Sequence, residues 1–292
     1  AAAQFDPLSK SARFQLGLPE GTDGRQWSAT RSKCDEAAAA PYDPDRRAAG
    51  VPLEAIVSDI AVTACAVESG DSARKRQSLY QRGRALMAAG NFRGARQDLE
   101  KAVAQGYRAA YVDLGMLLSQ RSAAMIDVPK ALSLYERAWH ERVTIAAFDL
   151  GSLYEHGVRR GGDTSGYLLA PDEARAWTWY RKGADAEEPN ALARFGEKAD
   201  QAAFAESDPA KRKAHLLQSF KYYAAAAERA RTEDWPDDAW RDWRYRRASV
   251  ARILAREGMM QQIADTYDGI RAQYSPPTHS LWQRLVAITG LE

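Results

Sequence analysis

The stretch "DLGSLYEHGVRR", Asp149–Arg160, decides how the chain is read. It gathers a histidine, acids, glycines and two arginines, and "GDTSG" at 162–166 follows closely, so it resembles a catalytic loop. A catalytic loop is unique in its chain, whereas a structural element recurs. Here "LGSLYEHG" aligns with "LGMLLSQR" at 114–121 and, more loosely, with "RGRALMAAG" at 82–90. The stretch is therefore one copy of a repeat. His156 falls in the turn after the first helix of that copy, where other copies place Gln or Ala.

Four copies can be followed outward from it. The first is "LYQRGRALMAAGNFRGARQDLEKAVAQGY" and the second "AAYVDLGMLLSQRSAAMIDVPKALSLYERA". The third is "AAFDLGSLYEHG" with, after an insertion at 158–171, "DEARAWTWYRKGAD". The fourth is "NALARFGEKADQAAFAES" with "SFKYYAAAAERA". Each reads as a helix A holding a small residue, a turn, and a helix B with a large residue followed by alanines. The helix A glycines, Gly83, Gly115, Gly151 and Gly196, are spaced 32, 36 and 45 residues apart, the period of a helical solenoid. A glycine inside a helix costs about 1 kcal/mol against alanine. It is tolerated where two helices approach too closely for a side chain. Ala102, Ala138, Ala184 and Ala226 do similar work on helix B, and Leu99, Tyr135, Tyr180 and Tyr223 fill the remaining space.

The third copy carries a family resemblance. Ala146, Ala147, Leu150, Gly151, Leu153, Tyr154 and Gly157, then Trp179, Tyr180 and Lys182, resemble the Sel1-like repeat, with Gly183 where alanine is usual. The first copy, through Gly83, Leu86, Ala95, Leu99 and Ala102, is closer to a tetratricopeptide repeat, and the second is intermediate. The resemblance covers about residues 77–230 and implies an all-α, right-handed α-solenoid of helix-turn-helix repeats. The segment around Cys34 and Cys65 also resembles a leader module that precedes Sel1 repeats in exported bacterial proteins, some of them fused to caspase-like peptidases; no peptidase sequence is visible here.

The flanks divide the chain into an irregular N-terminal segment (1–52), the repeats with a leading helix (53–230), and a C-terminal helical pair with a capping helix (231–290). "PYDPDRRAAGVP" holds three prolines and a glycine and reads as a loop. "LEAIVSDIAVTACAVES" places Leu53, Ile56, Ile60 and Ala64 on one helical face. "THSLWQRLVAITG" reads as the amphipathic cap that covers a solenoid's last apolar face. The opening "AAAQFDP" resembles the small-residue end of a cleaved signal peptide or is an arbitrary start, and the final "LE" carries no meaning. Cys34 and Cys65 are either a disulfide or two buried thiols; the export signs favour the disulfide, which would close a loop of about thirty residues worth roughly 3–4 kcal/mol.

Chemistry is sparse. His140, His156, His215 and His279 have no metal-ligand spacing, and no nucleophile elbow or phosphate loop is present. No strand is evident to carry a dinucleotide motif. No catalytic residue, cofactor or metal is expected. With 41 basic and 39 acidic residues, the net charge of +2 gives no bulk attraction to nucleic acid. No apolar run approaches the roughly 18 residues of a membrane span. Solenoids act by binding, on the positions beside the helix A glycines. Here those are Gln81, Arg84, Asp113, Met116, Asp149, Ser152, Arg194 and Glu197. A second candidate surface is "DDAWRDWRYRRASVAR", with Trp240, Arg241, Arg244 and Arg247. The expected function is a protein–protein adaptor or regulatory protein of the bacterial cell envelope, periplasmic or secreted, with a protein or peptide partner. The alternatives are a cell-wall glycan-binding or hydrolysing module and an accessory subunit of an exported enzyme.

Overall fold

A computed structural model describes residues 31–66, 72–121, 125–159 and 166–273. The expected C-terminal capping helix and the first thirty residues lie outside that set. The described residues form twelve α-helices, a short 3-10 turn, a π-helical turn and one two-stranded ladder, so the chain is all-α and built from consecutive helix pairs. It divides at Trp179 and Tyr180 into two compact units.

The first unit holds α1 (Lys33–Ala38), α2 (Ser58–Ala66), α3 (Ser72–Ala88), α4 (Phe92–Ala104), α5 (Ala110–Met116), α6 (Val128–His140) and α7 (Ile145–His156). It also holds the ladder β1 (Val158–Arg159) and β2 (Tyr167–Leu169). Helix α8 (Glu173–Asp185) spans the division. The second unit continues with α9 (Pro189–Ala205), α10 (Pro209–Thr232), α11 (Asp237–Arg256) and α12 (Met260–Ala272).

Local chemistry starts the helices. Asn91, Asp127, Glu188 and Asp208 each place a side-chain oxygen on orphan backbone N–H groups at the starts of α4, α6, α9 and α10. Pro129, Pro189 and Pro209 stand in the first turns, where the missing N–H costs nothing. Gly90 adopts φ 74° in the turn between α3 and α4, a conformation open to glycine at little cost.

The repeat glycines meet the large residues of their partner helices directly. A β-carbon on Gly83 would lie 2.8 Å from Leu99 Cγ, one on Gly115 3.1 Å from the Tyr135 ring, and one on Gly196 2.9 Å from the Tyr223 ring. All three partners are fully buried. The quoted stretch from Asp149 is α7 and its exit. Gly157 closes it at φ 65°, and a β-carbon there would meet the Leu169 carbonyl oxygen at 2.4 Å.

Two expectations need correction. No strand is evident in the sequence, yet the insertion at 158–171 holds a short ladder: Val158 pairs with Leu169 and Arg159 with Tyr167, and the Arg159 guanidinium lies over the Tyr167 ring. The β-forming run Tyr167–Leu169 supplies this ladder. Nor does one helix run from Leu53. A short 3-10 turn, Leu53–Ala55, ends before Ile56, and α2 begins afresh at Ser58. The restart shifts the phase, so Ala61 and Cys65 turn inward and Ile60 is 64% exposed.

Cys34 and Cys65 form a disulfide, with Cα atoms 4.7 Å apart and both residues buried. It joins α1 to α2, packed with Ala38, Ile56 and Ala85.

We expect Gly115→Ala to lower the thermal midpoint, although alanine is the better helix former. Overpacking against Tyr135 costs about 1–3 kcal/mol, against about 1 kcal/mol gained in propensity. Thermal denaturation compared with Gly90→Ala, whose cost is the positive φ alone, separates the two causes. Replacing Cys34 and Cys65 by alanine removes a cross-link and should cost roughly 2–4 kcal/mol in denaturant titrations; an unchanged midpoint would show that the bond does not restrain the unfolded chain.

Candidate functional site

Three of the four candidate helix A positions of the first two copies, Gln81, Arg84 and Asp113, turn inward. They face the chain's own N-terminal segment. Gln81, Arg84 and Asp113, expected as contact residues, are buried. Arg84 donates from Nη1 to the Ala38 carbonyl at 2.7 Å and from Nη2 to the Val51 carbonyl at 2.9 Å. Its Nε lies 3.6 Å from Asp113 Oδ1, and Asp113 Oδ2 accepts from the Tyr42 hydroxyl at 2.7 Å. Gln81 Nε2 donates to Asp35 Oδ1 at 3.0 Å. The segment itself is a closed loop, with Val51 N–H donating to the Ala39 carbonyl at 2.7 Å. These three residues present no surface to a partner because residues 35–51 already occupy it.

Burial tunes the charges of this network. It opposes the Arg84 charge, yet Tyr80, Tyr42 and Asp113 hold that guanidinium above its ordinary pKa. Burial, then Asp113, pushes the Tyr42 hydroxyl well up. Asp43 is fully buried and accepts from the Tyr107 hydroxyl at 2.6 Å. Burial raises its carboxyl to about 6, although the Tyr107 and Asp45 backbone hydrogen bonds pull the other way. The third-copy candidates, Asp149 and Ser152, and Met116 of the second are partly exposed. The Ser152 carbonyl accepts from His156 Nδ1–H at 2.9 Å, so His156 closes the end of its own helix.

In the second unit, Arg194 and Glu197 are paired with each other, and the Arg194 guanidinium lies over the Tyr180 ring. The arginine-rich helix is largely structural. Trp240 is buried against Ala227 and Ala230, with Trp235 and Trp243 beside it. The Arg244 guanidinium lies 4.3 Å from the Trp240 ring centroid, and Arg241 is exposed. Arg247 is buried: its Nη1 donates to the Tyr267 hydroxyl at 3.3 Å and lies 3.8 Å from Glu228 Oε1. Tyr267 donates to Glu228 at 2.7 Å, and Arg231 pairs with the same carboxylate at 2.8 Å. Trp240 and Arg247 are therefore core residues, drawn inward by an alanine-lined seat and by a buried carboxylate.

A cleft of about 390 Å³ lies within this unit, among α9, α10 and α11. Ala203, Leu216, Val250 and Ile253 give it apolar walls. Phe204 and Tyr245 also line it, and they are 95% and 67% exposed. Its acids are held in place. Asp200 accepts from Ser219 Oγ at 2.5 Å and from the Tyr223 hydroxyl at 3.2 Å, and Asp242 accepts from Arg246 Nε at 2.8 Å. Arg246 also donates to the Tyr223 hydroxyl at 3.4 Å. The sequence expectations passed over this cleft. The one available signal was Phe204, a lone aromatic in the alanine-rich end of α9.

No group of His, Cys, Asp or Glu among the described residues has the arrangement of a metal site. No helix among them is long and apolar enough to cross a membrane. No protein-family model and no curated protein matches the chain. Among solved structures, the chain is similar to a Sel1 repeat protein from Oxalobacter formigenes at 15% identity and a TM-score of 0.40, over 80% of this chain and 92% of that one.

Two buried carboxyls give a pH dependence. Burial raises Asp43 to about 6 and Glu188, the cap of α9, to about 7. Both folded-state values exceed those of the unfolded chain, so the folded state binds protons more tightly. Their contribution is therefore most favourable below about pH 4 and is lost as pH rises through about 6 and 7. We expect Asp43→Asn to gain on wild type as pH rises from 4 to 7, by on the order of 2–3 kcal/mol. Chemical denaturation across that range would show a constant difference if the carboxyl titrated normally.

Proposed function

We propose that the protein is a recognition scaffold of the helical-repeat type. It binds a protein partner through the cleft among α9, α10 and α11, in an oxidising compartment of the bacterial envelope. The observation that carries this reading is the pair Phe204 and Tyr245, large aromatic rings left in water beside an apolar depression. Aromatic rings exposed together beside an apolar depression offer a partner apolar surface to bury. Aromatic anchors contribute much of the energy of protein interfaces.

The buried disulfide supports the compartment, since such bonds persist where the surroundings oxidise thiols. The adaptor role fits a surface that offers contact without a reactive constellation. Met116, Asp149 and Ser152 remain in the proposal as a partly exposed secondary contact line of the first unit. A glycan-binding module would need tryptophans of the arginine-rich helix as an exposed stacking surface. Trp240 is in the core and Trp243 packs against it, so that support is gone.

The test is affinity capture from an envelope extract with wild type and with Phe204→Ser/Tyr245→Ser. Both rings are exposed, so the variant should keep its helical circular dichroism and thermal midpoint. We expect a protein retained by wild type to fall at least about tenfold with the variant, the size of effect that loss of two interface anchors gives. Equal retention would move the interface off the cleft. Retention of cell-wall strands in place of protein would favour the glycan-binding alternative.

A further inference from the structure

The charge around the cleft points to what enters it. Five charged groups matter, and four are already engaged. Asp200 is held by Ser219 and Tyr223, and Asp242 by Arg246. Arg246 is spent on Asp242 and the Tyr223 hydroxyl, and the hydrogen bond to Asp242 holds its guanidinium above its ordinary pKa. Lys213, on the turn of α10 beside the cleft, pairs with Glu257 at 3.0 Å. The remaining group is Arg212. It lines the cleft, is exposed, and its guanidinium has no partner among the described residues.

We propose that the cleft takes a partner segment that presents one large apolar side chain followed within a residue or two by a carboxylate. This rests on the reading of the cleft as the recognition surface and names the chemistry of its occupant. The apolar side chain seats between Phe204, Tyr245 and the Leu216–Ile253 wall. The carboxylate meets Arg212, whose planar guanidinium can offer two parallel N–H donors to one carboxylate. A basic segment is disfavoured, because Asp200 and Asp242 are compensated and leave no acid to answer it.

The probe is a set of three twelve-residue peptides with a central tryptophan, followed by two glutamates, two glutamines or two lysines. Each is titrated by fluorescence anisotropy into the full chain. We expect the glutamate peptide to bind about five- to tenfold more tightly than the lysine peptide at low salt, the gap narrowing as ionic strength rises. Arg212→Glu should reverse the order. Arg93→Glu, an exposed change in the other unit with the same effect on net charge, should leave it intact.

Equal binding of all three peptides, weakened by Phe204→Ser, would overturn the acidic preference while leaving the cleft as the recognition surface. Binding unaffected by Phe204→Ser/Tyr245→Ser would remove the cleft reading along with the inference. No binding by any peptide, with wild type sedimenting as a dimer that Phe204→Ser dissolves, would make a second copy the occupant and overturn the proposal.

Discussion

The contact between a helix glycine and a buried large side chain of the next helix is the constraint on which the repeats depend. At Gly115 and Gly196 the ring of Tyr135 or Tyr223 lies 3.1 or 2.9 Å from where a β-carbon would be, and at Gly83 the Leu99 side chain lies 2.8 Å from it. Closeness of this kind gives the ring dense contact with helix backbone, and dispersion grows with the number of such contacts. It also fixes the pair's register, because only the glycine leaves room. Capping then needs only to start each helix at the right residue, which Asn91, Asp127, Glu188 and Asp208 do.

Much of this was legible in the sequence, because glycine spacing and the helix B aromatics report backbone approach through residue type. The disulfide was legible as one of two alternatives. The fate of the inner helix A face was not. Arg84 and Asp113 read as solvent-facing because charged residues rarely lie inside. What reverses this is a tertiary event, a closed loop from 39 to 51 that brings its own carbonyls and the Tyr42 hydroxyl to them. Periodicity carries no record of a non-local segment seated on a repeat. The same limit hid the inward turn of Arg247: nothing local in "WRYRR" distinguishes the arginine that meets Glu228 from those that meet water.

That loop shows how the repeat surface handles a peptide. Arg84 takes two backbone carbonyls thirteen residues apart in sequence, and Asp113 takes a tyrosine hydroxyl. Groups of the kind that hold a peptide are here turned onto the chain's own segment. A buried guanidinium left without them would cost several kcal/mol, so the segment is a structural requirement of the first unit. Recognition of an outside partner has to use surface that no such segment covers.

In the second unit, the packing rule explains how the rim of the cleft is held. Tyr223 has two roles on two sides of one ring. Its edge fills the space beside Gly196, and its hydroxyl donates to Asp200 and accepts from Arg246. The residue that sets the α9–α10 approach thus also ties α9 to α11 along the polar side of the cleft. Burial, then Asp200, pushes the Tyr223 hydroxyl up, so the phenol stays protonated and keeps its donor throughout the physiological range. A rim fixed this way has little side-chain entropy left to lose on any contact, and preorganisation of that kind raises affinity without new contacts. Phe204 and Tyr245 stand outside this bonded frame, exposed aromatic side chains beside a hydrogen-bonded polar edge.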